Sequence, residues 1–181
     1  MSVKKKILGE DRRKLILQWL QDNQKPITGN ELAEKTNVSR QVIVQDISIL
    51  KARNHDILAT SQGYIYLQGN LEKEKHKKVI ACKHHPEDTK KELMIIVDHG
   101  VTVKDVTIEH PVYGDLTGSL MLSNRRDVEQ FIQKMEQTKA SLLSELTEGV
   151  HLHTLEATTK EQLTEAVLAL NKEGFLLQTT N

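Results

Sequence analysis

Residues 27–50 read ITGNELAEKTNVSRQVIVQDISIL, and this stretch decides how the first part of the chain folds. Thr28, with Glu31 three residues on, has the spacing of a capping box, which satisfies two orphan backbone donors at a helix start. Leu32 and Ala33 supply a short apolar face, and Asn37 suits the left-handed residue that closes a helix. Val38 can fill the gap between two helices, and Ser39 can cap the second. Val42, Ile43, Ile47 and Leu50 then recur at helical spacing and predict a core-facing stripe. Arg40, Gln41, Gln45 and Ser48 fall off that stripe. The first two stand at the helix N-terminus, where a recognition helix enters the major groove. Arg can pair bidentately with guanine, and Gln with adenine. An ordinary helical hairpin with a solvated polar face would share this spacing, so the flanking segments carry weight.

Upstream, residues 10–23 predict a helix through Leu15, Ile16, Trp19 and Leu20, ended by Lys25-Pro26 because proline cannot continue the hydrogen-bond ladder. Downstream, residues 56–67 (DILATSQGYIYL) hold two β-capable runs joined at Ser61-Gln62-Gly63, a hairpin signal. Three helices followed by a hairpin give a winged helix-turn-helix over residues 1–68. Tyr64 and Tyr66 are read as packing residues of the wing. The candidate DNA contacts are Thr28, Ser39, Arg40, Gln41 and Gln45, with Lys51 or Arg53 on phosphate. Residues 69–78 (GNLEKEKHKK) lack an apolar face and read as a linker.

The 181 residues carry no net charge, but the balance is uneven. Residues 1–78 hold fifteen Lys/Arg against nine Asp/Glu, and residues 79–181 hold ten against sixteen. The basic part is attracted to phosphate in the salt-dependent way that DNA binding needs. The acidic part is expected to sense or to dimerise. A single cysteine, Cys82, excludes an intrachain disulfide and a Cys-rich zinc module. The start MSVKKKILGEDRRK has no apolar run of signal-peptide length, and no stretch approaches a membrane span. A cytoplasmic protein with no membrane partner is expected.

Residues 79–181 change pattern. Strands are predicted at 78–83, 101–109, 116–122 and 150–155, with a short tail strand at 175–178. Helices are predicted from Pro86, which suits a first turn, to about Asp98, and at 125–138 and 159–172. The order β-α-β-β-α-β-α predicts an α+β fold, an HPr-like two-layer sandwich with helices on one face of a mostly antiparallel sheet.

Five histidines sit around these turns and strands: His84, His85, His110, His151 and His153. His151 and His153, two apart on a strand, project from one face and present two imidazoles side by side. His84 stands where a strand enters a helix, and Glu92 lies about two helical turns further on. Together they would form a mixed N/O set suited to Zn, Fe, Ni or Mn. Surface histidines are common, and the set exists only if the fold brings residues 84–92 beside 151–153. The chain has no nucleophile elbow, glycine-rich phosphate loop or HExxH, so no catalytic residues are assigned and no enzyme is expected.

The segments CKHHPEDTKKEL, IEHPVYGDL and EGVHLHTLEA resemble the three-histidine (3H) domain. A winged helix ahead of such a domain is similar to the niacin-responsive transcriptional repressors, and the resemblance spans residues 10–178. It implies a site for one transition-metal ion per chain, formed by His84, Glu92, His151 and His153, with His85 an extra neighbour of His84. It places the HPVYG string, residues 110–114, near an effector pocket, making His110 and Tyr113 candidate effector contacts. It also implies nicotinic acid as co-repressor, operator DNA as partner, and genes of niacin uptake or NAD synthesis as targets. A homodimer is expected, since two-fold symmetry matches palindromic half-sites. In the alternative reading, a metal-responsive repressor, the ion itself is the signal.

Overall fold

The computed structural model describes residues 7–67 and 75–177 and divides the chain into two compact units, Met1–Leu71 and Glu72–Asn181. In the first, α1 (Gly9–Asp22), α2 (Gly29–Thr36) and α3 (Arg40–Ala52) precede β1 (Ile57–Thr60) and β2 (Gly63–Tyr66). Thr28 Oγ1 accepts from the Glu31 N–H at 3.1 Å, and Asn37 closes α2 at φ 53°. Glu31 pairs with Lys35 one turn on, at 3.3 Å, so only the Thr28 half of the expected box is seen. Ser39 Oγ caps α3 at the Val42 N–H. Ile16, Leu20, Leu32, Ile43, Ile47 and Leu50 form the core, with Val42 half-buried at its edge.

The wing is short, and Ile27 adds to it. Ile27 exchanges two backbone bonds with Tyr64, at 2.9 and 2.8 Å. Gly63 permits this approach: its φ is +137°, and a Cβ there would stand 2.5 Å from the Ile27 carbonyl oxygen. Tyr64, Tyr66 and Trp19 pack against the core, so both tyrosines brace the wing as the sequence suggests.

The second unit runs β3 (His76–Lys83), a 3-10 turn (Pro86–Asp88), α4 (Thr89–Asp98), β4 (Thr102–His110), β5 (Gly114–Leu122), α5 (Arg125–Thr138), a second 3-10 turn (Leu143–Thr147), β6 (Val150–Ala157) and α6 (Lys160–Lys172). The sheet order is β3-β6-β4-β5, antiparallel throughout. Ile80, Leu93, Ile96, Val103, Leu122, Leu155 and Leu170 fill the core between sheet and helices. This is the α+β arrangement that the alternating pattern predicts. Among the described residues, no helix is long and apolar enough to cross a membrane.

Four local readings change. The linker read at 69–78 lies outside the described residues as far as 74, but His76, Lys77 and Lys78 already belong to β3. The β6 ladder extends through them, with ion pairs nearby in place of an apolar run. Glu156, buried in β6, faces Lys75 at 3.0 Å, Lys77 at 3.8 Å and Lys104 at 3.2 Å. The helix expected from Pro86 opens as a 3-10 turn and becomes α-helical only at Thr89. The tail strand reduces to one bridge, Leu176 to Cys82, and Gln178 lies outside the described residues. The 3-10 turn Leu143–Thr147 adds an element that the sequence pattern does not predict.

Candidate nucleic-acid interface and candidate metal centre

Thr28, Ser39, Arg40, Gln41, Gln45 and Ser48 are all exposed, so the polar face of α3 and the caps of α2 and α3 stand open to solvent. One residue beyond Gln45 the helix turns inward. Asp46 is 2% exposed and holds Arg12 Nε at 2.5 Å and Arg13 at 3.0 Å, which ties α3 to α1. Nothing in the apolar spacing signalled this pair. Arg53, a candidate phosphate contact, is engaged by Glu10 at 2.9 Å.

In the second unit, the β3–β6 register sets Cys82 opposite His151 and Ile80 opposite His153. This carries the H-x-H pair to the end of β3, where His84 follows. Gly149 fixes the approach, since a Cβ at its φ of +89° would stand 2.2 Å from the His84 carbonyl oxygen. Glu92, one turn into α4 and 0% exposed, reaches the same point. Its Oε2 lies 2.8 Å from His84 Nε2 and 3.4 Å from His153 Nε2, and its Oε1 lies 3.3 Å from His151 Nε2. The four residues named from sequence converge.

The second ring nitrogens are committed elsewhere. Nδ1 of His84 lies 2.8 Å from the His85 carbonyl, Nδ1 of His151 2.8 Å from Gly149 O, and Nδ1 of His153 2.6 Å from Asp105 O. A carbonyl only accepts, so each Nδ1 carries the proton and each neutral ring turns the Nε2 lone pair toward Glu92. Lone pairs facing a carboxylate need a positive charge between them. Protonated rings supply it in one way: burial opposes charging, yet Glu92 raises His84 and His153 above the usual imidazole range. Burial likewise opposes ionised Glu92, and hydrogen bonds from His151, His153 and His84 hold it well below the usual carboxylate range.

A cation would supply the charge in the other way. Glu92 Oε1 is buried with no hydrogen-bond partner. Donors about 2.1 Å from a tetrahedral ion lie roughly 3.4 Å apart, near the 3.3 and 3.4 Å found for two of the three pairs. Backbone carbonyls orienting imidazoles through Nδ1–H are the usual outer support of metal ligands. The donor set therefore fits a borderline divalent cation. His85 is exposed, whereas the His84 side chain is 3% exposed and meets Glu92. Geometry thus selects His84 of the two neighbours.

Cys82 enters the sequence reading only as the lone cysteine, yet its sulfur, Glu92 and His151 lie within 4.8 Å of one another. Burial, with Glu92 adding, pushes the Cys82 thiol far up, so it stands beside the three imidazoles as a neutral neighbour. The clue was its position two residues before His84. His110 and Tyr113 sit elsewhere, on the β4–β5 turn. Their ring centroids lie 5.0 Å apart with the planes tilted by 36°, Tyr113 is 75% exposed, and His110 Nδ1 accepts from the Val112 and Tyr113 N–H groups.

A helix-turn-helix with an exposed polar face in one unit and a buried His/Glu cluster in the other are the features expected of a two-domain DNA-binding regulator. Comparison with known proteins agrees. Residues 12–65 match the HTH domain and residues 77–179 the 3H domain. The transcription repressor NadR of Bacillus subtilis (strain 168) is 51% identical over 179 residues, covering 98% of this chain and 99% of its own length. The probable transcription repressor NiaR of Thermotoga maritima is 40% identical over 173 residues, 96% of this chain and 97% of its own. The chain belongs to the family of HTH–3H transcription repressors. These relatives are repressors, a non-enzymatic class.

Proposed function

We propose that the protein represses genes of niacin uptake or NAD synthesis, with nicotinic acid as co-repressor acting through a metal-loaded 3H domain. The observation that carries this reading is the convergence of three Nε2 lone pairs on the buried Glu92, an arrangement suited to His84, Glu92, His151 and His153 holding one transition-metal ion. Bound there, the ion would supply a Lewis acid to which a pyridine nitrogen or carboxylate can bind. His110 and Tyr113, on an exposed turn, remain candidate effector contacts.

The protein acts as a homodimer on palindromic half-sites, reading bases through Arg40, Gln41 and Gln45 and phosphate around the Thr28 and Ser39 caps. Nicotinate favours the conformation whose two reading heads match the half-site spacing, and DNA affinity rises by its differential affinity for that state. The test is anisotropy of the protein on DNA upstream of its own gene, in metal-replete buffer. Tighter binding with nicotinate and unchanged binding with benzoate is expected. Equal affinity with and without nicotinate overturns the niacin assignment.

The second reading, in which the ion is the signal, draws on the spread of the donors over the end of β3, α4 and β6. Loading alone would draw three elements together. It predicts DNA affinity that tracks metal with no nicotinate present.

A further inference from the structure

A glycine opens α2, and no backbone constraint calls for it. Gly29 is helical without a positive φ, a conformation open to every L residue, and helices tolerate glycine least of all residues apart from proline. What its missing side chain leaves is space. A Cβ at Gly29 would stand 3.4 Å from Arg40 Nε, 3.6 Å from Arg40 Cγ and 3.5 Å from Tyr64 Cε2. The stem of the first residue of α3 therefore lies along the bare backbone of the first residue of α2, with a ring of the wing at its side. Gly29 is buried although Thr28 and Arg40 are exposed, because the Arg40 and Tyr64 side chains cover it. The spacings are ordinary contact for one methyl group. Any carbon beyond that methyl would enter the space the stem and the ring fill.

The wing puts the ring there. Ile27 and Tyr64 exchange two backbone hydrogen bonds, and the bridge forms because Gly63 brings no Cβ against the Ile27 carbonyl. Ile27 stands two residues ahead of Gly29, so this seam fixes Tyr64 beside the start of α2. Three elements thus meet at one side chain: α3 supplies Arg40, α2 offers it bare backbone, and β2 walls it in. Charge does not account for the placement. The start of a helix is the positive end of its dipole, which disfavours a guanidinium, so packing of the stem holds Arg40 while its charge stays at the surface. A long side chain already confined in the free protein loses less rotamer freedom on binding, which favours affinity.

We propose that Gly29 is a shelf, walled by Tyr64, that positions Arg40 for contact with DNA. The proposal rests on the reading of Arg40 as a DNA contact and adds what holds that contact in place. Gly29 acts only through Arg40, so it is a positioning residue. It ties the aim of the reading helix to the helix before it and to the wing behind it.

The test is anisotropy of the full chain on DNA upstream of its own gene, in metal-replete buffer with nicotinate, with thermal melting in parallel. Gly29→Ala adds the one methyl that fits, and affinity stays within about twofold of wild type. Gly29→Val adds two carbons beyond it and pushes the stem away. Affinity then falls about tenfold, with no loss of melting temperature, since valine is the better helix residue. Arg40→Ala falls at least as far. On the Arg40→Ala background, Gly29→Val costs nothing more, because effects that pass through one shared contact do not add. Wild-type affinity in Gly29→Val overturns the shelf. So does a Gly29→Val loss of affinity or of melting temperature that recurs in full on the Arg40→Ala background, since Gly29 would then serve packing alone. Wild-type affinity in Arg40→Ala overturns the shelf together with the reading of Arg40 as a DNA contact.

Discussion

Asp46 in the first unit and Glu92 in the second are both buried carboxylates, and the two are neutralised differently. Asp46 is 2% exposed and gives one oxygen to each of two guanidinium groups, Arg12 and Arg13. Arginine stays charged at any pH the protein meets, so this pair is complete as it stands and fixes α3 against α1. Glu92 is 0% exposed and meets three imidazoles whose Nδ1 protons are already given to carbonyls, with its own Oε1 left without a hydrogen bond. Permanent cations around a carboxylate build a fixed strut. Weak bases aimed at a carboxylate build a site that takes up a charge, whether proton or metal. The first arrangement suits a helix held rigidly in a helix-turn-helix, the second a cluster whose charge can change.

The sharpest way to break this contrast is to remove both imidazoles of β6. His151→Ala with His153→Ala should abolish metal uptake, read by elemental analysis of the purified chain, and abolish any nicotinate response, while non-specific DNA binding survives. Asp46→Asn should leave metal content untouched and act on stability alone. It strands buried arginine charge, and breaking a buried pair costs about 3–5 kcal/mol. Urea unfolding should show an early transition confined to the first unit. Metal loss in Asp46→Asn, or a full metal complement in the double histidine variant, would erase the distinction between the two sites.

How much of this the sequence showed follows the range of the interactions. Capping and turn chemistry is local, so Thr28, Asn37 and Ser39 could be read directly, and all three are found in those roles. The H-x-H pair was legible for the same reason, since strand alternation is a two-residue rule. Its meeting with His84 and Glu92 depends on the β3–β6 register, and no periodicity within either strand encodes that offset. The Asp105 carbonyl that orients His153 lies at a register shift in β4, invisible in a pattern of apolar residues. Asp46 was hidden differently. A charged residue inside a helix reads as solvated until its arginines, 34 and 33 residues away, are seen to reach it. The Leu143–Thr147 turn is too short to carry a period.

The contrast also bears on DNA. If Asp46 sets the helix and the exposed residues do the reading, Arg40→Ala should weaken specific binding by about 1–3 kcal/mol with little change in thermal stability or metal content. Competition with a scrambled duplex separates the effects, because a base contact is lost only on the operator. Loss of equal size on both duplexes would mean that Arg40 contacts phosphate.

The smallest effect lies at the surface of the same unit. Glu10 is exposed and bridges Arg13 at 2.6 Å and Arg53 at 2.9 Å. Hydrogen bonds from Arg53 and then Arg13 lower its carboxyl from 4.5 to about 2. A carboxyl depressed in the folded state adds stability that is fully present above its unfolded value. That contribution is lost as pH falls from about 4.5 toward 2. Solvent screens an exposed pair of this kind, so the gain is modest and salt-sensitive. Glu10→Gln should therefore lower the melting temperature of the first unit slightly at neutral pH and not at all near pH 2, and molar salt should close the gap. A Glu10→Gln loss at neutral pH as large as that of Asp46→Asn would show that the exposed bridge, and not the buried pair, holds the reading helix in place.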